Sequence, residues 1–363
     1  MSDQFNSSAG EPGVNERSYE RWYENAQSFG DDPDAVQENF ALRLQEADDR
    51  DLSRTVVRQI VSPAVLSELQ TSEFQDDIEV VVPMSLFTTA EGQRHSGLLL
   101  YLARNRADRP ALTSDSDIIA ASDNPDQWSG RGMQTALTLP ERASSIRENG
   151  GVFDTAFERS EIDEIVDELW GPTFDWTEED AINFRHALER QTQLPPEQRS
   201  LWFSAIRMGG SIVSLATAER ITMQSGTGPI EMVESTEWLV RNAPELRGQH
   251  LMSTNLAVLN ALVATDQATG PHGVPLVFAE CNFSTRSDLA GRAAGFRIAH
   301  RNAGGLPAPQ VIRQNVAVGD DITTGRENNL RDFNFTYICR GTYNNLYGNG
   351  RARAILQATG LGG

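Results

Sequence analysis

The clearest alternation of hydrophobic and polar positions lies in the segment DIEVVVPMSLFTT, where Ile78, Val80 and Val82 take every second position. A period of two residues is typical of a strand with one buried face. The segment RHSGLLLYLARNR continues in the same manner. The pattern therefore predicts two strands.

A long polar stretch, residues 107–133, follows these strands and is rich in Ser, Asp, Asn, Pro and Gly. The segment QTALTLPERAS, which comes next, is predicted to be extended. Two strand-like regions separated in this way indicate a projecting hairpin or loop. A loop of this length in a compact domain counts against this assignment unless the loop has a function.

Helical periodicity occurs on both sides of this region. A polar N-terminal arm precedes predicted helices over residues 17–29, 33–51 and 52–69. Further on, Ser160 and Thr177 are predicted to cap the helices EIDEIVDELW and EEDAINFRHALERQ. The longest predicted helix is EQRSLWFSAIRMGGSIVSLATAERITM. Because it is apolar on more than one face, we expect it at the centre of the fold.

Shorter elements alternate after residue 229, and they predict mixed α and β structure with short connections. The sequence indicates a helix IEMVESTEWLVRNA, a strand QHLMST, a helix NLAVLNALVATD and a strand VPLVFAE. The last third is predicted to be mostly β. No internal repeat is evident in the sequence.

The stretch GNGRAR near the C-terminus raises the question of a phosphate-binding loop. A P-loop needs a lysine, which this chain lacks, and a dinucleotide fingerprint needs a third glycine. Asn349-Gly350 is instead typical of a tight turn, because both residues tolerate positive φ. We therefore predict a hairpin that joins the strands FNFTYICR and RARAILQ.

The composition adds one strong signal: all 31 basic residues are arginine, against 51 acidic residues, for a net charge of −20. Such a chain repels itself in dilute buffer, and molar salt screens that repulsion. The bias favours a halophilic host, and an acidic protein from a high-GC genome is the alternative. No stretch approaches the roughly 20 apolar residues of a membrane span, and the N-terminus lacks the features of a secretory signal.

Candidate chemistry is sparse, and we predict no catalytic residue, no cofactor and no metal site. Two acidic loops, with Asp115 and Asp117 in one and Asp320 and Asp321 in the other, are weak candidates for a hydrated cation. Neither fits the calcium-loop pattern, so solvated surface is the alternative interpretation. Cys281 and Cys339 form no ligand spacing, and buried thiols are predicted. The five histidines are scattered.

The order of segments resembles the major capsid proteins of tailed viruses, which have the Hong Kong 97-type fold and include haloarchaeal members. The resemblance rests on the polar arm, the long β excursion, the long central helix, the segment GVPLVFAE and the final aromatic strand. It implies an α+β fold divided into an N-terminal arm with helices, an extended β loop, a peripheral domain with a spine helix, an axial domain and returning C-terminal strands. The corresponding ranges are 1–76, 77–150, 151–229, 230–310 and 311–363.

On this resemblance the chain would be a structural protein and not an enzyme, located in a virion assembled in the host cytoplasm. It would form hexamers and pentamers of a shell, contact other virion proteins and packaged DNA nonspecifically, and have no membrane partner. Trp128, Arg131 and Met133 would be intersubunit contacts, although Trp128 and Met133 are equally suited to anchor the loop on its own domain. The alternatives are a soluble halophilic enzyme of unknown reaction and an encapsulin-like compartment.

Overall fold

The structure, a computed structural model, is mixed α+β with two principal sheets. None of the helices described is both long and apolar enough to cross a membrane. The description covers residues 13–15, 20–24, 30–49, 54–88, 94–105, 134–135, 137–170, 178–194, 199–225, 228–266, 276–282, 288–298, 300–303, 306–309, 311–315, 330–348 and 350–362.

The first sheet has the strand order β1-β2-β3-β5-β4. Its strands are β1 (Gly13–Asn15), β2 (Glu20–Glu24), β3 (Arg54–Val61), β4 (Ile78–Thr88) and β5 (Arg94–Asn105). Helices α1 (Pro33–Asp49) and α2 (Pro63–Leu69) pack on one face. Each begins with a proline, whose missing N–H is no loss in the first turn of a helix.

The second sheet contains eight strands in the order β11-β15-β10-β9-β8-β7-β6, with β14 also paired to β15. Its strands are β6 (Val152–Asp154), β7 (Leu201–Met208), β8 (Ser211–Ser225), β9 (Gly228–Val240), β10 (Leu276–Asn282), β11 (Arg297–Ile298), β14 (Val311–Asn315) and β15 (Leu330–Cys339). Strands β12 (His300–Ala303) and β13 (Leu306–Pro309) form a separate hairpin.

Helices cover both faces of the second sheet. The remaining helices are α3 (Leu139–Glu148), α4 (Arg159–Glu164) with a π-helical turn (Ile165–Trp170), α5 (Glu178–Gln193), α6 (Leu251–Thr265), α7 (Asp288–Ala293), α8 (Arg340–Tyr347) and α9 (Arg351–Thr359). Helices α3, α6, α8 and α9 share one core with the sheet, whereas α4, the π turn and α5 pack on its other face. A third cluster joins the two sheets.

The two sheets contain the same arrangement of strands, which we call the first repeat (13–105) and the second repeat (211–339). In each repeat, two antiparallel strands are followed by a helix and then by a third strand that runs parallel to the second. These elements are β1, β2, α1 and β3 in the first repeat and β8, β9, α6 and β10 in the second. A short helix follows the third strand. The last strand of each repeat then pairs antiparallel with the third strand, as β5 does with β3 and β15 does with β10. The chain therefore holds an internal structural repeat.

Several predicted elements are confirmed. The helix over 33–51 corresponds to α1, and the predicted strands at 77–106, 274–280 and 333–340 correspond to β4 and β5, β10 and β15. Other predictions are wrong. Residues 20–24 and 54–61 were predicted to be helical but are strands, and residues 139–148 were predicted to be extended but are a helix. RARAILQ was predicted to be a strand but belongs to α9. Gly350 does form a left-handed turn, but the turn joins two helices instead of two strands.

The predicted central helix is also wrong, because residues 201–208 and 211–225 are the antiparallel strands β7 and β8. Gly209 and Gly210, both at positive φ, form the tight turn between them. Both faces of these strands are covered, so their apolar run lacks the alternation of a half-exposed strand. The structure therefore has no spine helix at this position, and the Hong Kong 97-type architecture is not observed. The five-part domain division stays a prediction.

Candidate functional site

Strands β9 and β10 are parallel neighbours that separate toward their carboxyl ends. Their ladder consists of two residue pairs, Val233 with Val277 and Glu234 with Phe278. Beyond Glu234, β9 continues to Val240 paired only with β8 among the strands described. Six residues of strand cover about 20 Å, so β9 extends that far past its last pairing with β10, and we call the region between the two strands beyond this pairing the opening.

A β-bulge lies where β9 leaves β10. Ala216 pairs with Trp238 and Ala218 pairs with Ser235, which leaves two residues of β9 opposite Thr217 alone. The Thr217 hydroxyl accepts a hydrogen bond from the Glu237 N–H at 3.0 Å. It also lies 2.7 Å from the Thr236 hydroxyl. Because a bulge bends its strand, it accounts for the separation.

Helix α6 begins at the wide end of this opening, since the crossover between parallel strands places its N-terminus at their carboxyl ends. The turn before it contains Gly248 at φ 78° and His250, the N-cap, at φ 56°. The His250 side chain makes no capping hydrogen bond. The uncapped N–H groups and the helix dipole make this end suitable for a phosphate.

A carboxylate lies at the narrow end of the opening, on the face opposite α6. Glu234 is two residues from Met232, which packs in the cluster between the two sheets. Its Oε2 is 3.8 Å from Nη1 of Arg58, a residue of β3. Glu219 of β8 is its direct cross-strand partner. Glu237, three residues further along β9 at the bulge, is only 2% exposed.

The wall on the α6 side is formed by Trp238. Its indole Nε1 donates to Ser235 Oγ at 2.7 Å, and its ring meets that of Phe296 edge to face with centroids 5.2 Å apart. The ring also packs directly on Gly291 of α7. Trp238 thus connects β9 to the segment that follows β10, across the opening.

The predicted candidate residues are not part of this arrangement. Asp115, Asp117, Trp128, Arg131, Met133, Asp320 and Asp321 all lie outside the described residues. Within the described part of the chain, no group of three or more His, Cys, Asp and Glu side chains could hold a metal ion. Cation binding and the intersubunit role therefore stay predictions.

Both cysteines are free thiols. Cys281 is buried in β10, as predicted, whereas Cys339 is only half-buried. Burial raises the pKa of the Cys339 thiol, but hydrogen bonds from the hydroxyl and N–H of Thr342, with the nearby charge of Arg297, outweigh it and leave the pKa below its ordinary value. Among the described groups that shift the pKa of the Cys339 thiol, none is a histidine or a carboxylate.

Sequence reasoning missed Glu234, Trp238 and His250 because it assigned residues 230–243 to a helix and 249–254 to a strand. The bulge interrupts the alternation along β9, and that interruption hides the strand. One signal was present: Pro244 and Gly248 form a turn between two apolar segments, as expected for a strand-to-helix connection.

Comparisons with known proteins give matches among solved structures only. No family model matches the chain, and no curated protein matches it. A putative acetyltransferase of the GNAT family from Desulfovibrio desulfuricans is 14% identical with a TM-score of 0.35, covering 52% of this chain and 98% of that one. NAA60 of Arabidopsis thaliana, in complex with a bisubstrate analogue, is 9% identical with a TM-score of 0.36, covering 52% and 98%. An N-acetyltransferase from Staphylococcus aureus is 13% identical with a TM-score of 0.33, covering 52% and 98%.

These matches are acetyltransferases instead of capsid proteins, so the predicted resemblance to a viral capsid subunit is wrong. The predictions of a structural, non-enzymatic role and of shell hexamers, pentamers and virion partners are wrong with it. The predicted location in a virion stays a prediction. The TM-scores of these matches are too low to assign the activity of any of these enzymes to this chain.

Proposed function

We propose that the chain is an enzyme that transfers an acyl group from coenzyme A to an amine, with its site in the opening between β9 and β10. The carrier would place its phosphates at the N-terminus of α6 and its thioester near Glu234. The observation that carries this proposal is the separation of the two parallel strands, with an uncapped helix at one end and a carboxylate at the other.

The shape of the opening supports an extended carrier. Acyl-coenzyme A has phosphates at one end, a thioester at the other and amide groups along the arm between them. Among the strands described, none pairs with the edge of β9 beyond Glu234 on the β10 side, so its backbone groups can pair with those amides in the manner of an added strand. This edge is about 20 Å long, which gives the arm room to extend.

The charges near Glu234 support an amine as the acceptor. Glu219 and Glu234 are direct cross-strand partners on β8 and β9, and two adjacent carboxylates favour a cationic group. Glu234 would accept a proton from the amine. The amine nitrogen would then attack the thioester carbon, so that a C–N bond forms, the C–S bond breaks and the thiol of coenzyme A leaves.

The test is calorimetric titration of coenzyme A into the whole chain at molar salt, with two variants of one residue. His250→Asp places a carboxylate at the helix N-terminus, where it both caps the helix and repels phosphate. We expect coenzyme A to bind this variant about tenfold more weakly than it binds the wild type. His250→Asn is the matched control, because asparagine also tolerates the left-handed conformation but carries no charge.

The transfer step is tested by mass spectrometry of a panel of amines incubated with acetyl-coenzyme A. Acetylated amine that disappears in Glu234→Gln, while coenzyme A binding persists, would support the assignment. Absence of saturable binding by the wild type, or equal binding by His250→Asp, would contradict it.

A further inference from the structure

In the first repeat, the start of the helix is bridged to the strand that corresponds to β10. Gly30, which precedes α1, forms a parallel bridge with Val61 of β3. Its N–H donates to Ile60 O at 2.9 Å, and its carbonyl accepts from Ser62 N at 3.0 Å. The residue before Asp31 and the helix is thus held against the strand that corresponds to β10.

The helix of the first repeat is also capped, unlike α6. The Asp32 carboxylate accepts the N–H of Asp34 at 3.1 Å and that of Ala35 at 3.5 Å. A carboxylate at this position satisfies the N–H groups that a phosphate would need, and its charge repels an anion. The first repeat is therefore unsuited to bind the carrier itself.

The first repeat instead turns one face of its sheet toward Glu234. On β3, Val56 and Ile60 pack in the cluster between the sheets, and Arg58 lies between them on the same face. Arg58 is only 7% exposed. Its guanidinium carbon lies 5.7 Å from the ring centroid of Tyr101, its direct cross-strand partner. These contacts restrict the rotamers that Arg58 can adopt.

Aromatic packing connects this face of the first repeat to the second. The Tyr101 ring meets that of Phe335 edge to face with centroids 5.4 Å apart, and Phe335 stacks on Phe278 at 5.3 Å. Phe278 is the residue paired with Glu234 at the last step of the β9–β10 ladder. Arg58 and Glu234 are therefore held on two sheets whose contact lies directly beside the narrow end of the opening.

We propose that Arg58 is a positioning residue for the site of the second repeat: it restrains the Glu234 carboxylate at the narrow end of the opening. The inference rests on the proposed function for the role of Glu234. A low-exposure cation 3.8 Å from a carboxylate attracts it, and a partner with few accessible rotamers limits the orientations of that carboxylate. The first repeat thus contributes to the site of the second without binding the carrier.

The kinetic test compares three variants in the acetyl-transfer reaction. In Arg58→Met we expect kcat to fall about tenfold, while KM for acetyl-coenzyme A stays within about twofold, because the carrier binds elsewhere in the opening. Arg58→Lys keeps the charge and should recover most of kcat. Arg104→Met is the matched control: Arg104 lies on the same sheet but pairs with Asp77, its Nε 2.8 Å from Oδ1. It should leave kcat unchanged.

A second test needs no ligand and separates this inference from the proposed function. Thermal unfolding of Arg58→Met, Glu234→Gln and the double variant forms a double-mutant cycle, in which we expect the changes in Tm to be non-additive. Additive changes would overturn the positioning role whatever the activity. An active wild type with unchanged kcat in Arg58→Met would also overturn it. If the wild type binds no coenzyme A but the changes in Tm are non-additive, the proposed function alone would be overturned.

Discussion

Gly291 and the ring of Trp238 are in contact so close that a Cβ on residue 291 would lie 2.5 Å from Cη2 of the indole. The contact joins helix α7 to strand β9 across the opening. Only a glycine permits it without movement of the ring, since real Cβ atoms do not approach other heavy atoms at this distance.

Gly291→Ala should therefore lower the free energy of unfolding by about 1–3 kcal/mol, because Trp238 must leave its place against Phe296. The change in indole environment should also shift the fluorescence emission. Gly341→Ala is the control: it lies in helix α8 with open space around its Cα, and should raise stability by about 0.5–1 kcal/mol. Equal stability of Gly291→Ala and the wild type in chemical denaturation would contradict this packing.

Asn255 should be among the most sensitive polar positions in the chain. It is fully buried in α6, its Nδ2 donates to Ser204 O at 2.9 Å and Ser214 Oγ at 3.1 Å, and its Oδ1 accepts from Ser204 Oγ at 2.6 Å. Asn255→Ala removes all three bonds and leaves buried groups unsatisfied, at a cost of about 2–4 kcal/mol. Urea unfolding measures this cost. The exposed Asn345→Ala should change stability by less than about 0.5 kcal/mol, and a similar effect of both variants would refute the prediction.

The ion cluster around Arg207 predicts a specific acid sensitivity. Burial raises the pKa of the Glu161 carboxyl, but the hydrogen bond and charge of Arg207 outweigh burial, together with the Glu158 N–H, and hold the pKa below its ordinary value of 4.5. A group with a lowered pKa stabilises the fold above its ordinary value, and that stabilisation is lost as pH falls through the folded-state pKa.

Glu161→Gln should therefore lower Tm at neutral pH and flatten its decline between about pH 5 and pH 3. Thermal scans over that range provide the measurement. Glu148→Gln, a change at another acidic position, serves as the control for charge removal alone. A parallel decline of wild type and Glu161→Gln would show that the Arg207 pair does not contribute.

The net charge of −20 predicts that Tm rises with salt over the range from about 0.1 M to 3 M KCl, because shorter screening lengths weaken repulsion among carboxylates. Sucrose, which stabilises folded proteins without screening charge, provides the comparison. A Tm that responds equally to the two solutes, or that does not respond to KCl, would mean that charge repulsion does not limit stability.

The sequence predicted elements wherever one periodicity dominated. Strand β4 alternates clearly, and α1 begins at a proline and continues with helical spacing, so both were found. Strands β7 and β8 are covered on both faces, and their apolar run cannot be told from a buried helix by periodicity. The candidate site was not predicted for a related reason: the bulge at Thr236 and Glu237 disrupts the alternation of side chains at the position where β9 stops pairing with β10.

The structural repeat was invisible in the sequence because it consists of strand directions and pairings, which many different side chains can satisfy. The contact of Arg58 with Glu234 was likewise beyond sequence reasoning, since the two residues are 176 positions apart (234 − 58) and meet only when the sheets pack. Such a contact depends on tertiary structure alone.

The bridged and capped start of helix α1 has a consequence for protein engineering. Two small features, the Gly30 bridge and the Asp32 cap, separate this repeat from a scaffold with an accessible helix end. Replacing them would be the starting point for installing a second, independent pocket in one chain, with the natural pocket retained as an internal reference.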